Sequence, residues 1–262
     1  MEKKINYQKL LDKLLAGLES EQKQADFSQH APKPSLLLHA CCGPCSSYVL
    51  EYLSKYFQIT VLYYNPNIYP QEEYERRLAE LKKLYEVFPP ALNTGVKVVE
   101  CEYEPDQFYE AVGIRDNPEL AQEPEKGERC RRCYKFRLER AAAYAAQNHF
   151  DYFCTSLSIS PFKDAVKINE LGVEIEREIF SRLQLPGSGG NSRLSEPAQN
   201  SQPPQNFLSA QTSQANSPKW LFSDFKKKGG FKRSLELSTE YGMYRQTYCG
   251  CVYSMKNKEQ NT

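Results

Sequence analysis

Much is missing from this 262-residue chain, and each absence removes a class of protein. No stretch approaches the roughly 18 consecutive apolar residues that a membrane-spanning helix needs, so none is expected. The opening segment, MEKKINYQKLLDKLLAGLESEQ, is amphipathic at helical period and carries acids. It lacks the apolar centre and small-residue cleavage site of a secretory signal, and a cytoplasmic location is expected. Neither GxxxxGKS/T nor GxGxxG occurs, which leaves out the nucleoside triphosphate and dinucleotide fingerprints. A net charge of only +1 supplies no global field for nucleic acid, so local patches must carry any such binding. There is no internal repeat.

Cysteine runs the other way, with nine residues. In a reducing compartment, clustered thiols point to metal ligands or redox groups rather than structural disulfides. Cys41, Cys42 and Cys45 lie in LLLHACCGPCSSYVLEYL, after an apolar run read as a strand and before a helix opened by Pro44. At a helix N-terminus the dipole favours thiolate, the form that binds metal or attacks a disulfide. His39, just before them, can orient or ligate, or can be an ordinary structural histidine. A second group, Cys130 and Cys133 in GERCRRCYKFRLER, is a CxxC opening another helix. Both groups follow loops that can meet at one end of a parallel sheet, where sites of α/β folds form. The third group, Cys249-Gly250-Cys251, can close a small, oxidising disulfide or add two metal ligands. Cys101 and Cys154 stand alone in apolar runs and read as core. Cys41, Cys42, Cys130 and Cys133 supply four thiolates, enough for a zinc ion or a [4Fe-4S] cluster. Adjacent Cys41 and Cys42 are expected to converge awkwardly on one tetrahedral ion, which favours iron.

Apolar runs at 35–40, 59–65, 96–103 and 151–157 alternate with helical patterns at 46–57, 71–88 and 131–148. This alternation predicts an α/β fold, a parallel sheet with flanking helices. Residues 1–34 read as an N-terminal helical extension of a catalytic domain spanning 35–262. From 184 to 218, Ser, Gln, Pro, Asn and Gly supply 25 of 35 residues, which predicts a disordered insertion in a surface loop.

Two basic segments suit RNA. One surrounds the CxxC, with Arg129, Arg131, Arg132, Lys135, Arg137 and Arg140 interleaved with Tyr134 and Phe136; the other is FKKKGGFKR, which contains Lys228 and Lys232. Cations neutralise phosphates and aromatics stack on unpaired bases, although a solvated helix face has the same composition. The YYNPNIYP loop, with Tyr64 and Asn65, suits a planar base, or is a packed turn. The TSLSISPFK loop offers hydroxyls and Lys163 to a phosphate.

Taken in order, HACCGPC, YYNPNIYPQEEYERR, CRRCYKFRLERAA, TSLSISPFKD, FKKKGGFKRS and YRQTYCGC resemble the QueH-type epoxyqueuosine reductases from about residue 35 to 253, skipping only the Gln-rich segment. The resemblance implies a fold like that of the PP-loop and nucleotide α-hydrolase-like proteins. It implies reduction of the epoxide of epoxyqueuosine, at the wobble position of tRNA, to queuosine. By position it assigns Cys41, Cys42, Cys130 and Cys133 to a [4Fe-4S] cluster and Cys249 with Cys251 to a redox-active disulfide. Cys45, where some members of that family have an acid, is then a ligand to an additional iron ion or a spare thiol. The electron donor is unspecified. Rival readings are a thiol-disulfide oxidoreductase, from Cys42-Gly43-Pro44-Cys45, and a zinc-stabilised RNA-binding protein without catalysis.

Overall fold

The computed structural model describes residues 5–25, 32–184 and 217–259. Four apolar runs become strands β1 (Ser35–His39), β2 (Gln58–Tyr63), β3 (Lys97–Glu100) and β4 (Tyr152–Thr155), and a short fifth, β5 (Lys219–Trp220), joins them. All pair in parallel in the order β3-β2-β1-β4-β5. The expected α/β architecture is present. Leu36, Leu37 and Leu38 of β1 are fully buried, as the central strand of a parallel sheet covered by helices demands.

The helices of the described residues are α1 (Tyr7–Ala25), α2 (Gly43–Leu53), α3 (Gln71–Tyr85), α4 (Pro89–Leu92), α5 (Pro105–Val112), α6 (Glu128–Gln147), α7 (Ala165–Gln184), α8 (Gly230–Glu240) and α9 (Val252–Glu259). None is long and apolar enough to cross a membrane. The N-terminal helix α1 places Leu11 and Leu15 in the same core as the sheet. Of the 184–218 segment, Gln184 ends α7 and Ser217 and Pro218 lead into β5; residues 185–216, on which the expected disorder falls, lie outside the described residues.

Strand order reverses between β1 and β4, so the loops leaving their C-terminal ends diverge and open a crevice. The first loop carries the cysteine trio and the second the TSLSISPFK segment. Local chemistry sharpens both exits. Cys42 is the extended N-cap of α2, with Pro44 in the first turn, where a missing N–H costs nothing. Thr155 ends β4 and its hydroxyl accepts from the Leu157 amide at 3.1 Å.

Candidate active site

Where β1 runs into α2, the sulfurs of Cys41, Cys42 and Cys45 lie within 4.8 Å of one another. The Sγ atoms of Cys41 and Cys42 are 3.9 Å apart. Thiolates on one tetrahedral ion, with bonds of about 2.3 Å, are separated by roughly 3.8 Å. The expected awkwardness of adjacent cysteines is therefore corrected: the extended Cys42 marks the change from strand to helix, and the two side chains converge. Hydrogen bonding with Cys42 and Cys45 holds Cys41 well below the ordinary thiol range, assisted by Arg137 and Arg77, against the effect of burial. Hydrogen bonding to Cys41, with burial, pushes Cys42 up to about 12, so Cys41 is the thiol of the trio that these contacts favour as thiolate.

Cys130 and Cys133 occupy the first turns of α6, and Arg137 follows them on the same face at helical spacing. Burial raises both thiols, Cys133 to about 11. Cys133 packs with Cys251, Phe108 and Val112. Among the described residues, Cys41, Cys42 and Cys45 form the one group tight enough for a single ion, so the pair on α6 stands apart from them. Arg137 links the two sets. It is buried, donates to Asn65 Oδ1 at 2.5 Å, and its charge acts on Cys133, Cys41 and Cys249.

The third cysteine group is fastened from α3. Arg77, buried and paired with Glu73 at 2.7 Å, donates to the carbonyls of Cys249 at 3.1 Å and Tyr248 at 3.5 Å. The Tyr69 amide donates to the Gly250 carbonyl at 2.8 Å, and the Tyr248 hydroxyl donates to the Tyr69 carbonyl. Gly250 has φ +129°, and an added Cβ would meet Ile68 at 3.0 Å and Arg77 at 3.1 Å. Only glycine fits there. All nine cysteines are free thiols in this structure. Lys163 bonds directly to the Cys249 sulfur. Hydrogen bonding from Cys251, then the Lys163 charge and hydrogen bond, hold Cys249 well below the usual thiol range against the effect of partial burial.

Cys41, Cys45, Cys249 and Lys163 face one cavity of about 450 Å³. Glu125, Phe162, Gln246 and Tyr248 also line it, Phe162 with 64% of its surface exposed. From the same wall Gln246 donates to Cys42 Sγ at 3.1 Å.

Several expected contact residues are placed elsewhere. His39 is fully buried, with Nδ1 against Thr155 Oγ1 at 2.8 Å and Nε2 against the Tyr64 carbonyl at 3.1 Å, so neither nitrogen is left for a ligand. Burial, then Arg137, push its pKa down to about 3, and it is neutral. Tyr64 and Asn65 are buried: Tyr64 donates to Gln107 at 3.1 Å, and Asn65 donates to the Ala40 carbonyl at 2.9 Å. The YYNPNIYP segment is thus a packed turn that braces Arg137 and the CxC loop. Lys228 pairs with Asp12 at 2.6 Å, and Lys232 is exposed on α8, outside the cavity. Gly230 serves packing, since a Cβ would strike the Phe225 carbonyl and the Tyr48 ring. On α6, Arg129 donates to the Leu120 carbonyl at 2.6 Å, while Lys135 pairs with Glu174 at 2.5 Å, so this helix does not present a free basic face.

Arg77, Gln246 and Glu125 were not singled out from the sequence, and Arg137 was read only as part of a basic surface. For Arg137 the signal existed: 130, 133 and 137 recur at the spacing of one helical face.

A profile of the family described as epoxyqueuosine reductase QueH matches residues 36–183 and 192–257. The chain belongs to that family. Among proteins of the QueH family it is 36% identical to the epoxyqueuosine reductase of Staphylococcus aureus over 96% of this chain and 84% of that one. It is 34% identical to that of Streptococcus pyogenes, over 97% and 79%, and 29% identical to that of Thermotoga maritima, over 86% and 93%. As a QueH family member the chain is an oxidoreductase, and all three cysteine groups fall within the matched residues.

Proposed function

We propose that this chain reduces the epoxide of epoxyqueuosine, carried at the wobble position of tRNA, to the alkene of queuosine. The observation that carries the reading is the cavity onto which two thiols of the metal-competent trio, Cys41 and Cys45, a Lys163-supported thiolate and an exposed aromatic all open. A base-sized ligand fits a pocket of this volume.

Soft thiol donors suit zinc or iron-sulfur centres. In our reading Cys41, Cys42, Cys130 and Cys133 hold a [4Fe-4S] cluster, with Cys45 available to an additional iron. The separation of the α6 pair from the trio supports a cluster over one ion, because ligands on different irons lie further apart than ligands sharing one. Buried Arg77 and Arg137 offset the negative charge such a centre gathers. When bound, the cluster supplies single electrons at low potential. The chain's own residues do the rest. Oxidising the Cys249 thiolate with the Cys251 thiol to a disulfide yields two electrons and one proton, and converting an epoxide to an alkene and water takes those two electrons and two protons. Lys163 holds Cys249 as thiolate, the form that exchanges with an external dithiol or disulfide.

The test is anaerobic purification, assay of iron, sulfide and zinc, and incubation with epoxyqueuosine-containing tRNA and dithionite. About four irons and four sulfides with formation of queuosine is the expected result. One zinc, no visible band and no queuosine would replace this reading with the zinc-stabilised RNA-binding protein, for which the tight Cys41–Cys42–Cys45 group is the favouring observation.

A further inference from the structure

Reducing an epoxide requires a proton for the departing oxygen, and the cysteine groups alone do not identify its source. We propose that Glu125 is the acid that protonates the epoxide oxygen, an inference that rests on the reductase reading above. Glu125 lines the same cavity as Cys41, Cys45, Cys249 and Lys163. It sits in the loop before α6, where its neighbour Glu123 is consumed by the helix start, accepting from the Arg129 amide at 2.8 Å. Glu125 itself, only partly exposed, has no hydrogen bond or ion pair within 4 Å among the described residues. A carboxylic residue on a cavity wall without a structural partner is available to a ligand.

The other titratable groups on the cavity wall are unsuited to the task. Lys163 and Arg245 are too basic to release a proton readily. The Tyr248 hydroxyl is committed to the Tyr69 carbonyl. Cys249 is a thiolate held by Lys163, with no proton to give. Cys41 and Cys45 belong to the metal-competent trio. Burial raises Glu125 above the ordinary carboxylate range, with Cys249 adding to the rise, while Lys163, Arg129 and Lys126 oppose it. Those are the charged groups facing it, from the loop before α7, the C-terminal segment, α6 and its own loop.

Both C–O bonds of the epoxide break, and two electrons from a low-potential one-electron reductant form the alkene. The oxygen takes one proton from Glu125 and one from solvent and leaves as water. The Glu125 carboxylate regains its proton from solvent.

Single-turnover reduction of epoxyqueuosine-containing tRNA by dithionite-reduced protein, followed across pH, tests this. Wild type should lose rate as pH rises through the elevated Glu125 value. Glu125→Gln should be slower by about 10²- to 10⁴-fold with that limb removed, Glu125→Asp should recover part of the rate, and tRNA affinity and iron content should be unchanged. A Gln variant within threefold of wild type, or one that is slower but keeps the wild-type pH limb, overturns the assignment. So does loss of iron or tRNA binding in both variants, which would make Glu125 structural. Wild type that binds iron yet forms no queuosine would instead remove the reductase reading, and this inference with it.

Discussion

Single residues divide the charge of the site between them. Lys163 acts with Cys251 at Cys249: its ammonium lies against a half-buried sulfur that would otherwise hold its proton to higher pH. The folded pKa of Cys249 is depressed, so its thiolate persists as pH falls below the ordinary thiol range. Alkylation of Cys249 by iodoacetamide, resolved by peptide mapping, should therefore remain fast at pH 7. Lys163→Met should move the fall in rate to higher pH and slow the reaction at pH 7 by about tenfold, the effect of one pKa unit. At this scale the sequence was only partly informative. The cysteine groups were legible because spacing and type suffice to identify them. The roles of His39, Asn65 and Arg137 were not, because whether a polar side chain meets solvent or a buried partner depends on strands and helices distant in sequence. His39 meets Thr155, 116 residues away, and Arg137 meets Asn65, 72 residues away.

At the scale of elements, the site is made by chain ends: the exit of β1, the exit of β4, the start of α6 and the loop before α9. The last of these has no regular structure and is held by Arg77 and Tyr69. Gly250→Ala adds a Cβ at φ +129° against Ile68 and Arg77, and should cost about 1–3 kcal/mol. Urea unfolding should show that loss, and the displaced CxC should lower turnover more than tRNA affinity. The strands β1, β2 and β4 were readable because buried parallel strands are apolar runs, and edge strand β3, none of it buried, because Val96, Val98 and Val99 are β-branched. By contrast β5 is two residues long, too short to show a period, and α8 begins at glycines inside a lysine run, where charge obscures the Gly230–Ser234–Leu237–Ser238 face that packs inward.

For the whole molecule, the cysteines that could share a centre come from the junction of β1 with α2 and from the first turns of α6, segments far apart in the sequence. A centre spanning them would cross-link the two. Removing the metal by chelation under anaerobic conditions should then lower the calorimetric Tm. A linkage of about 3 kcal/mol corresponds to a fall of roughly 6–12 °C for a chain of this size. An unchanged Tm would count against a centre that joins the Cys41–Cys42–Cys45 group to the α6 pair.

The position of the CxC loop also bears on how the protein is made. Cys45 and Cys249 line one cavity, yet at about 5–20 residues per second the ribosome delivers them roughly 10–40 seconds apart. Through that interval the nascent chain can order β1, α2 and the first thiols, while Lys163 waits for its sulfur and Arg77 for the carbonyls it will hold. The Gln246–Cys249 side of the cavity is therefore translated after the trio it faces, and until it arrives these thiols lack that cover against oxidants.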